Sequence, residues 1–159
     1  MKWTVLVVGR DMPPPIRVLV NDYLKRLGRF LPVELIEITE EKRRSQAQQG
    51  KPGETLLREH ERLVKHIPSG ALVVLLESAG QVLTSLEFAK TIDHWRQQGP
   101  GHICFVIGGP DGLHPALHAL SSVSLSLGAM TWPHMLARVL LLEQLYRGLT
   151  LIHGFPYHR

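Results

Sequence analysis

The segment Trp3-Thr4-Val5-Leu6-Val7-Val8-Gly9 decides the fold class of this chain. It is a nearly continuous run of apolar and β-branched residues that ends in glycine, which is typical of a strand buried on both faces of a parallel sheet. Three more runs have the same pattern, at 33–38, 71–76 and 102–107. We therefore predict a mostly parallel sheet that contains these four strands.

Helical patterns separate the predicted strands. The first opens at Pro13-Pro14-Pro15 and continues to Leu27, with apolar residues at the three- and four-residue spacing of one helix face. The second covers 54–67, and the third follows Thr84 and Glu87, which are spaced as a capping box. Strands that alternate with helices of this length predict an α/β fold with helices on both faces of the sheet.

The pattern changes after the strand at 102–107. A glycine-rich turn at 108–112 is followed by a short helix at 115–120 and a short strand at 123–127. A second loop, 128–133, then leads into a long final helix. The turn at 108–112 predicts a ligand site, because α/β proteins bind ligands at the carboxyl ends of parallel strands. The alternative is that Pro-Asp-Gly is simply a good β-turn.

The final helix, 134–152, is apolar on nearly every side. A small core cannot cover all faces of such a helix, so we expect a homodimer through it, with Leu141 and Leu145 in the contact. Arg138, Glu143 and Arg147 interrupt the apolar pattern. Because lone buried charges are costly, these three residues are expected to pair with one another or to line a site.

The composition indicates one ordinary globular domain over residues 1–159. Apolar residues make up 44% of the chain and charged residues 20%, which excludes disordered and fibrous classes. The single cysteine, Cys104, excludes an internal disulfide framework. The longest stretch without formal charge, 112–137, contains histidines and prolines, and the apolar run 3–8 is too short for a signal peptide. We expect a cytoplasmic protein without a transmembrane helix.

The charge distribution favours a polyanionic partner. The net charge is +4, and residues 1–50 hold nine basic and six acidic residues. We take Arg43, Arg44, Arg17 and Lys25 as candidate RNA contacts. On these features alone, a non-catalytic RNA-binding or ribosome-associated α/β module is one reading of the chain.

The sequence lacks the motifs of several enzyme classes. It lacks the dinucleotide-binding and P-loop fingerprints, and it has no His-Glu-x-x-His or close Cys/His spacing, so we expect no metal. His134, His153 and His158 are the histidines considered for chemistry. A small hydrolase that uses His158 with Asp111 or Glu143 is a weaker alternative, because no Gly-x-Ser-x-Gly occurs.

Three linked motifs carry a family resemblance. They are Ile-Gly-Gly-Pro-Asp-Gly-Leu at 107–113, Ala-Met-Thr-Trp-Pro-His-Met-Leu-Ala-Arg-Val-Leu-Leu-Leu-Glu-Gln-Leu-Tyr-Arg-Gly at 129–148 and Pro-Tyr-His-Arg at 156–159. Together they resemble the RlmH family, small SPOUT-class methyltransferases that act on N3 of a pseudouridine in large-subunit ribosomal RNA. The likeness extends over essentially the whole chain. It implies a SPOUT-type domain with a C-terminal trefoil knot.

The resemblance also implies a site. S-adenosylmethionine would be the methyl donor, without a metal, and ribosomal RNA or the assembled ribosome would be the substrate. The implied cofactor-binding residues are Leu76, Gly109, Gly128, Ala129, Met130, Thr131, Trp132 and Pro133. The implied catalytic residues are Tyr157, His158, Arg159 and Arg147, with His158 as the candidate base, Arg159 stabilising the developing anion and Tyr157 positioning the ring. In the family, the dimer brings one chain's tail near the other chain's cofactor.

The tail departs from the family pattern at one position. Family tails commonly read His-Pro-Tyr-His-Arg, whereas Phe155 precedes Pro156 here. A histidine role at that position is therefore lost.

Overall fold

The computed structural model describes residues 1–41 and 52–159, so the predicted RNA contacts Arg43 and Arg44 lie outside the described residues. The strands are β1 Lys2–Val8, β2 Val33–Ile38, β3 Leu72–Val82, β4 His102–Ile107 and β5 Val123–Ser126. The helices are α1 Pro14–Leu27, α2 Pro52–His66, α3 Ser85–Gln98 and α4 His134–Ile152, with a short 3-10 helix at Pro115–Ala119.

The five strands form one parallel sheet in the order β2-β1-β4-β3-β5. The first strand lies inside the sheet, where Val5 pairs with Leu35 of β2 on one side and Phe105 of β4 on the other. A side-chain hydrogen bond between Thr4 and His102, 2.8 Å long, joins the beginnings of β1 and β4. The parallel α/β prediction is confirmed.

Helices cover both faces of the sheet, as predicted. Because side chains alternate along a strand, Val5 and Val7 contribute to a core beneath α1, α3 and α4, whereas Leu6 and Val8 contribute to a second core beneath α2 and the 3-10 helix. The capping box of α3 is present, with Glu87 N donating to the Thr84 hydroxyl at 3.2 Å. The larger core, which contains three helices, is the one that carries the candidate site.

The environment of α4 corrects one prediction. This helix packs against both α1 and α3 on the same sheet face, so Leu141 and Leu145 are fully buried within the chain's own core. The expectation that they form a dimer contact is wrong, because two flanking helices cover more of α4 than its sequence pattern suggests. The apolar side chain of α4 that stays exposed near its beginning is Leu136.

Among residues 1–41 and 52–159, no helix combines the length and the hydropathy that crossing a membrane requires.

The third strand is longer than predicted. The sequence pattern ends it at Leu76, but after an interruption the chain rejoins β5, so that Leu125 is paired with Leu76 and again with Gln81. Gly80 lies where this return passes over β5, and a Cβ atom added to it would stand 2.4 Å from the carbonyl carbon of Leu125. Apolar periodicity does not predict this return, because residues 77–81 are small or polar.

Cys104 provides a test of the sheet's interior. It is fully buried in β4, and burial raises the pKa of its thiol to about 12. Because the thiolate is the reactive form, we expect the native protein to resist alkylation by iodoacetamide at neutral pH and to react once unfolded in urea. Mass spectrometry of the alkylated protein measures this difference. Alkylation of the folded protein at the rate of a free thiol would contradict the buried position.

Candidate active site

A pocket of about 280 Å³ opens beside the carboxyl ends of β3 and β5. This is close to the lower end of the roughly 300–1,000 Å³ typical of small-molecule sites. Its walls are mostly apolar and come from the return of β3, the start of α3, the loop after β5 and the middle of α4. The polar side chains that line it are those of Gln81, Ser85, Ser126 and Gln144. Such a pocket suits a ligand with a flat apolar part and few charges.

The loop between β5 and α4 supplies main-chain groups to this pocket. Ser126 closes its first turn, since its hydroxyl donates to the Gly128 carbonyl at 2.9 Å and accepts from the Gly128 N–H at 3.2 Å. Gly128 has φ +119°, a left-handed conformation that favours glycine. Within the described part of the chain, the amides of residues 129–132 donate no hydrogen bond to protein. They are therefore able to bind a ligand.

The structure brings some of the predicted cofactor residues together and separates one. Leu76, Gly128 and Trp132 line the pocket. Gly109 is not among the lining residues, and a Cβ atom added to it would stand 3.2 Å from Val8 Cγ1. The remaining predicted residues, Ala129, Met130, Thr131 and Pro133, continue the loop beside the pocket and are exposed.

The glycine-rich turn after β4 is closed on itself. The Gly112 N–H donates to the Gly109 carbonyl at 3.0 Å, and a Cβ atom on Gly108 would stand 2.4 Å from the Gly112 carbonyl oxygen. The turn's own geometry therefore requires glycine at position 108. The turn therefore explains the glycine at position 108, while cofactor contact by Gly109 stays a prediction.

The tail folds back onto α4 and assembles three of the four predicted catalytic residues. Tyr157 Oη lies 3.2 Å from Glu143 Oε1, and the Arg147 guanidinium carbon lies 4.9 Å from the centre of the Tyr157 ring. Arg147 Nη1 contacts His158 Nδ1 at 3.3 Å. Arg159 follows as an exposed residue.

Charge and burial set the ionisation of this cluster. Arg147 donates to Glu143 Oε1 through Nε at 3.0 Å and through Nη2 at 2.5 Å, and this carboxylate raises the pKa of Arg147. Burial raises the pKa of Tyr157, and hydrogen bonding to Tyr23 and the negative charge of Glu143 raise it further. Tyr157 is therefore a neutral hydrogen-bond donor at physiological pH. The predicted pairing of Arg147 with Glu143 is confirmed.

Aromatic contacts anchor the tail. Phe30 packs against Phe155 at a centroid distance of 5.8 Å and against His153 at 5.1 Å. The Tyr146 ring lies 4.9 Å from the Tyr157 ring in an edge-to-face arrangement. Phe155, which stands where family tails have histidine, is thus part of an aromatic cluster, and His153 has the same packing role.

Arg138 does not join the Glu143 pair. It is fully buried and donates through Nη2 to the carbonyl oxygens of Val8 at 2.6 Å and Gly9 at 2.9 Å. Its Nη1 lies 3.7 Å from Glu37 Oε1. The side chain therefore ties α4 to the end of β1. His134 lies beside it, and burial followed by the charge of Arg138 lowers its pKa.

The two described RNA-contact candidates differ in their surroundings. Arg17 Nη2 lies 3.1 Å from Glu37 Oε1 and also donates to the Arg10 carbonyl, so its charge is partly neutralised. Lys25 is exposed on α1. Among residues 1–41 and 52–159, no group of three His, Cys, Asp or Glu side chains is placed to hold a metal ion.

Several pocket residues were missed by the sequence reasoning. Gln81 lies on the unpredicted return of β3, and Gln144 occurs in a helix whose apolar pattern gives it no distinction. Ser85 begins α3 directly after the capping residue Thr84. This cap is the one local signal in the sequence that places Ser85 near the end of a strand.

The chain is similar to known proteins in sequence and in fold. The family model described as predicted SPOUT methyltransferase matches residues 1–158. The Ribosomal RNA large subunit methyltransferase H of Dinoroseobacter shibae is 43% identical over 165 residues, covering 100% of this chain and 99% of that protein. The protein of the same name from Neisseria gonorrhoeae is 42% identical over 161 residues, with the same coverage.

Two solved structures have a similar fold. A probable methylase family protein from Haemophilus influenzae superposes with a TM-score of 0.55 at 13% identity, over 99% of this chain and 70% of that one. A probable methyltransferase from Bordetella pertussis gives 0.54 at 17% identity, over 92% and 95%. These two likenesses establish the fold alone.

Proposed function

The chain belongs to the SPOUT methyltransferase family, and we therefore propose that it transfers a methyl group from S-adenosylmethionine to N3 of a pseudouridine in large-subunit ribosomal RNA. One observation carries the proposal: neighbouring residues of α4 serve both features, because Gln144 lines the pocket and Glu143, hydrogen-bonded to Gln144, binds the tail. The names of the relatives support ribosomal RNA as the substrate. With ribosomal RNA or the assembled ribosome as the proposed substrate, the cytoplasm is the proposed location of the reaction.

The pocket fits S-adenosylmethionine. When bound, this compound supplies an electrophilic methyl group on a positively charged sulfur. Leu76 and Trp132 provide apolar surface for its adenine, and the free amides of residues 129–132 provide donors for its polar groups. Among residues 1–41 and 52–159, no lysine or arginine lines the pocket, which suits a ligand without phosphates. No metal is proposed for this site.

Methyl transfer places two demands on the protein. The N3–C bond forms while the C–S bond breaks with its electron pair kept by sulfur, and the N3 proton passes to water, so the ring must approach in line and its negative charge must be stabilised. Arg147, Tyr157, His158 and Arg159 are the groups proposed to contact the ring. All four carry hydrogen-bond donors suited to a uracil ring that is losing a proton.

We also propose that the protein acts as a homodimer and that the partner's surface covers the pocket. Val82 and Trp132 line the pocket yet remain 63% and 42% exposed. Apolar side chains exposed beside a ligand site favour contact with a second surface. Leu136, on the first turns of α4, extends this exposed apolar surface.

The dimer proposal predicts an effect of Leu136→Glu. Leu136 is 39% exposed in the single chain, so the substitution is tolerated in the monomer fold but places a charge in the dimer contact. We expect light scattering to show dissociation to monomers. Leu57→Glu is the matched control, since Leu57 is 43% exposed on α2, on the opposite side of the sheet. A dimer that survives Leu136→Glu at micromolar concentration would place the interface elsewhere.

RNA binding is proposed to use Lys25 and Arg17 on α1 together with Arg43 and Arg44. Phosphate contacts of this kind position RNA without reading its sequence. No lysine or arginine from the pocket is needed for this role, so RNA affinity and cofactor affinity are separable.

The trefoil knot of the SPOUT class is proposed for the region from β3 to α4. The double pairing of Leu125 with Leu76 and with Gln81 supports it, because the register shift inserts additional residues of β3 between two pairings with the same residue of β5.

Mass spectrometry of ribosomal RNA fragments tests the proposed function. RNA from cells that lack the protein is compared with the same RNA after incubation with the protein and S-adenosylmethionine. We expect one added methyl group on a fragment that contains a pseudouridine. The absence of that mass increase on free RNA, on subunits and on whole ribosomes alike would refute the proposal. A protein that then still binds RNA would be the non-catalytic module.

A further inference from the structure

A chain of hydrogen bonds connects the pocket wall to the tail. Ser85 Oγ donates to Gln144 Oε1 at 2.7 Å, and Gln144 Nε2 donates to Glu143 Oε2 at 2.7 Å. The other carboxylate oxygen of Glu143 accepts from Arg147 Nε at 3.0 Å and lies 3.2 Å from Tyr157 Oη. One carboxylate therefore contacts the pocket side through one oxygen and the tail side through the other.

Glu143 fixes the orientation of Arg147. Two guanidinium nitrogens, Nε and Nη2, donate to the same carboxylate oxygen, which restrains the plane of the group. The remaining terminal nitrogen, Nη1, is then directed at His158 Nδ1, 3.3 Å away. Both Glu143 and Arg147 are largely buried, with side-chain exposures of 18% and 24%. This limits competition from water.

The contact with Arg147 determines the tautomer of His158. A guanidinium group has only donors, so Nδ1 of the ring must be the acceptor in this hydrogen bond. A neutral His158 therefore carries its proton on Nε2. The nitrogen left for a substrate is an N–H donor and not a free lone pair.

Resting on the proposed methyl transfer, we propose that Glu143 is a positioning residue that, through Arg147, holds His158 as an Nε2–H donor toward the target ring. Both carbonyl groups that flank N3 gain negative charge as the N3 proton passes to water, and an N–H donor stabilises that charge. His158 thus acts as a hydrogen-bond donor and not as the base that its residue type suggests.

The first test is the kinetics of Glu143→Gln. The amide keeps the size of the side chain but loses its charge, so Arg147 and His158 lose their fixed orientation. We expect kcat to fall about 100-fold, because small misplacements of reacting groups have effects of this order, while the affinity for S-adenosylmethionine stays within about twofold of the wild type. Glu143→Asp, which keeps the charge, is expected to recover part of the rate.

A matched control is Asp93→Asn, the same chemical change at a carboxylate on the surface of α3, 3.6 Å from Arg96. It is expected to keep the wild-type kcat. Equal unfolding temperatures of the Glu143 variants and the wild type show that the rate loss is not a folding defect. If Glu143→Gln does not fold, Glu143→Asp carries the test, with a smaller loss of kcat expected. A wild-type kcat in the folded Glu143→Gln variant would overturn the proposal.

The second test is ¹⁵N NMR of the His158 ring, assigned by comparison with His158→Asn. We expect the Nε2–H tautomer in the wild type and a mixture of tautomers in Glu143→Gln. An Nδ1–H tautomer in the wild type would overturn the assignment. This measurement needs no RNA, so a wrong tautomer assignment can be distinguished from a wrong proposed function. The proposed function would be wrong if the wild-type protein transferred no methyl group to RNA.

Discussion

Removal of Tyr157, His158 and Arg159 is expected to abolish methyl transfer while leaving S-adenosylmethionine affinity nearly unchanged. The pocket is lined by residues of β3, α3, β5 and α4 and the loops beside them, none of which belongs to the deleted segment. The deleted side chains are the proposed donors to the target ring. Losing them together is expected to lower kcat by about 10²–10⁴-fold, the range typical of positioned catalytic groups. Single-turnover rates and calorimetry measure the two quantities.

The contrast with an RNA-binding variant makes this prediction specific. Changing both Arg43 and Arg44 to Ser is expected to weaken RNA binding and to reduce its salt dependence by about one unit of slope per lost phosphate contact. That variant recovers its rate at higher RNA concentration or lower salt, whereas the truncated protein stays inactive under both conditions. Substantial activity of the truncated protein at saturating RNA would show that the tail is structural.

Gly80→Ala is expected to destabilise the protein and to remove cofactor binding. The added Cβ would stand 2.4 Å from the carbonyl carbon of Leu125 and 2.7 Å from its nitrogen and oxygen. These are backbone atoms of β5 and cannot rotate away, so the strands must separate. Overpacking of this kind costs about 1–3 kcal/mol and here also displaces Gln81 and Val82 from the pocket wall.

The control for this substitution is Gly101→Ala. Among the described residues other than its chain neighbours, no heavy atom lies within 4 Å of a Cβ added to Gly101, so this variant is expected to unfold at the wild-type temperature. Thermal unfolding and calorimetric titration with S-adenosylmethionine are measured on both variants. A Gly80→Ala protein with wild-type stability and affinity would contradict the close contact between Gly80 and the backbone of Leu125.

The sequence predicts most of the fold because its signals are local. Local patterns predict β1 and the start of α3 correctly: the apolar run at 3–9 indicates the strand, and Thr84 and Glu87 indicate the beginning of the helix. The return of β3 is different, since Gln81 is held by pairing with Leu125, more than forty residues away along the chain. No periodicity in residues 77–82 encodes that pairing.

The candidate site shows the same division. Family motifs indicate the loop at 128–133 and the tail, and they also suggest Gly109, which is not among the residues that line the pocket. The apolar pattern of α4 suggests Leu141 and Leu145 as interface residues, because a sequence does not show that α1 and α3 flank the same helix. Glu143 has the appearance of an ordinary surface-helix partner for Arg147 until the tail folds onto it.

The interior position of β1 has a consequence for the order in which the molecule acquires its structure. Its two neighbours are β2, which follows closely, and β4, whose first residue His102 bonds to Thr4 across nearly a hundred intervening residues. In a nascent chain that has not yet emerged beyond residue 101, one edge of the apolar strand β1 has unpaired backbone groups, to which another chain can pair and aggregate. Folding of the sheet therefore depends on the pairing of β1 with β4, which are far apart in sequence. This dependence slows folding and favours one late cooperative step over stepwise growth from the amino end.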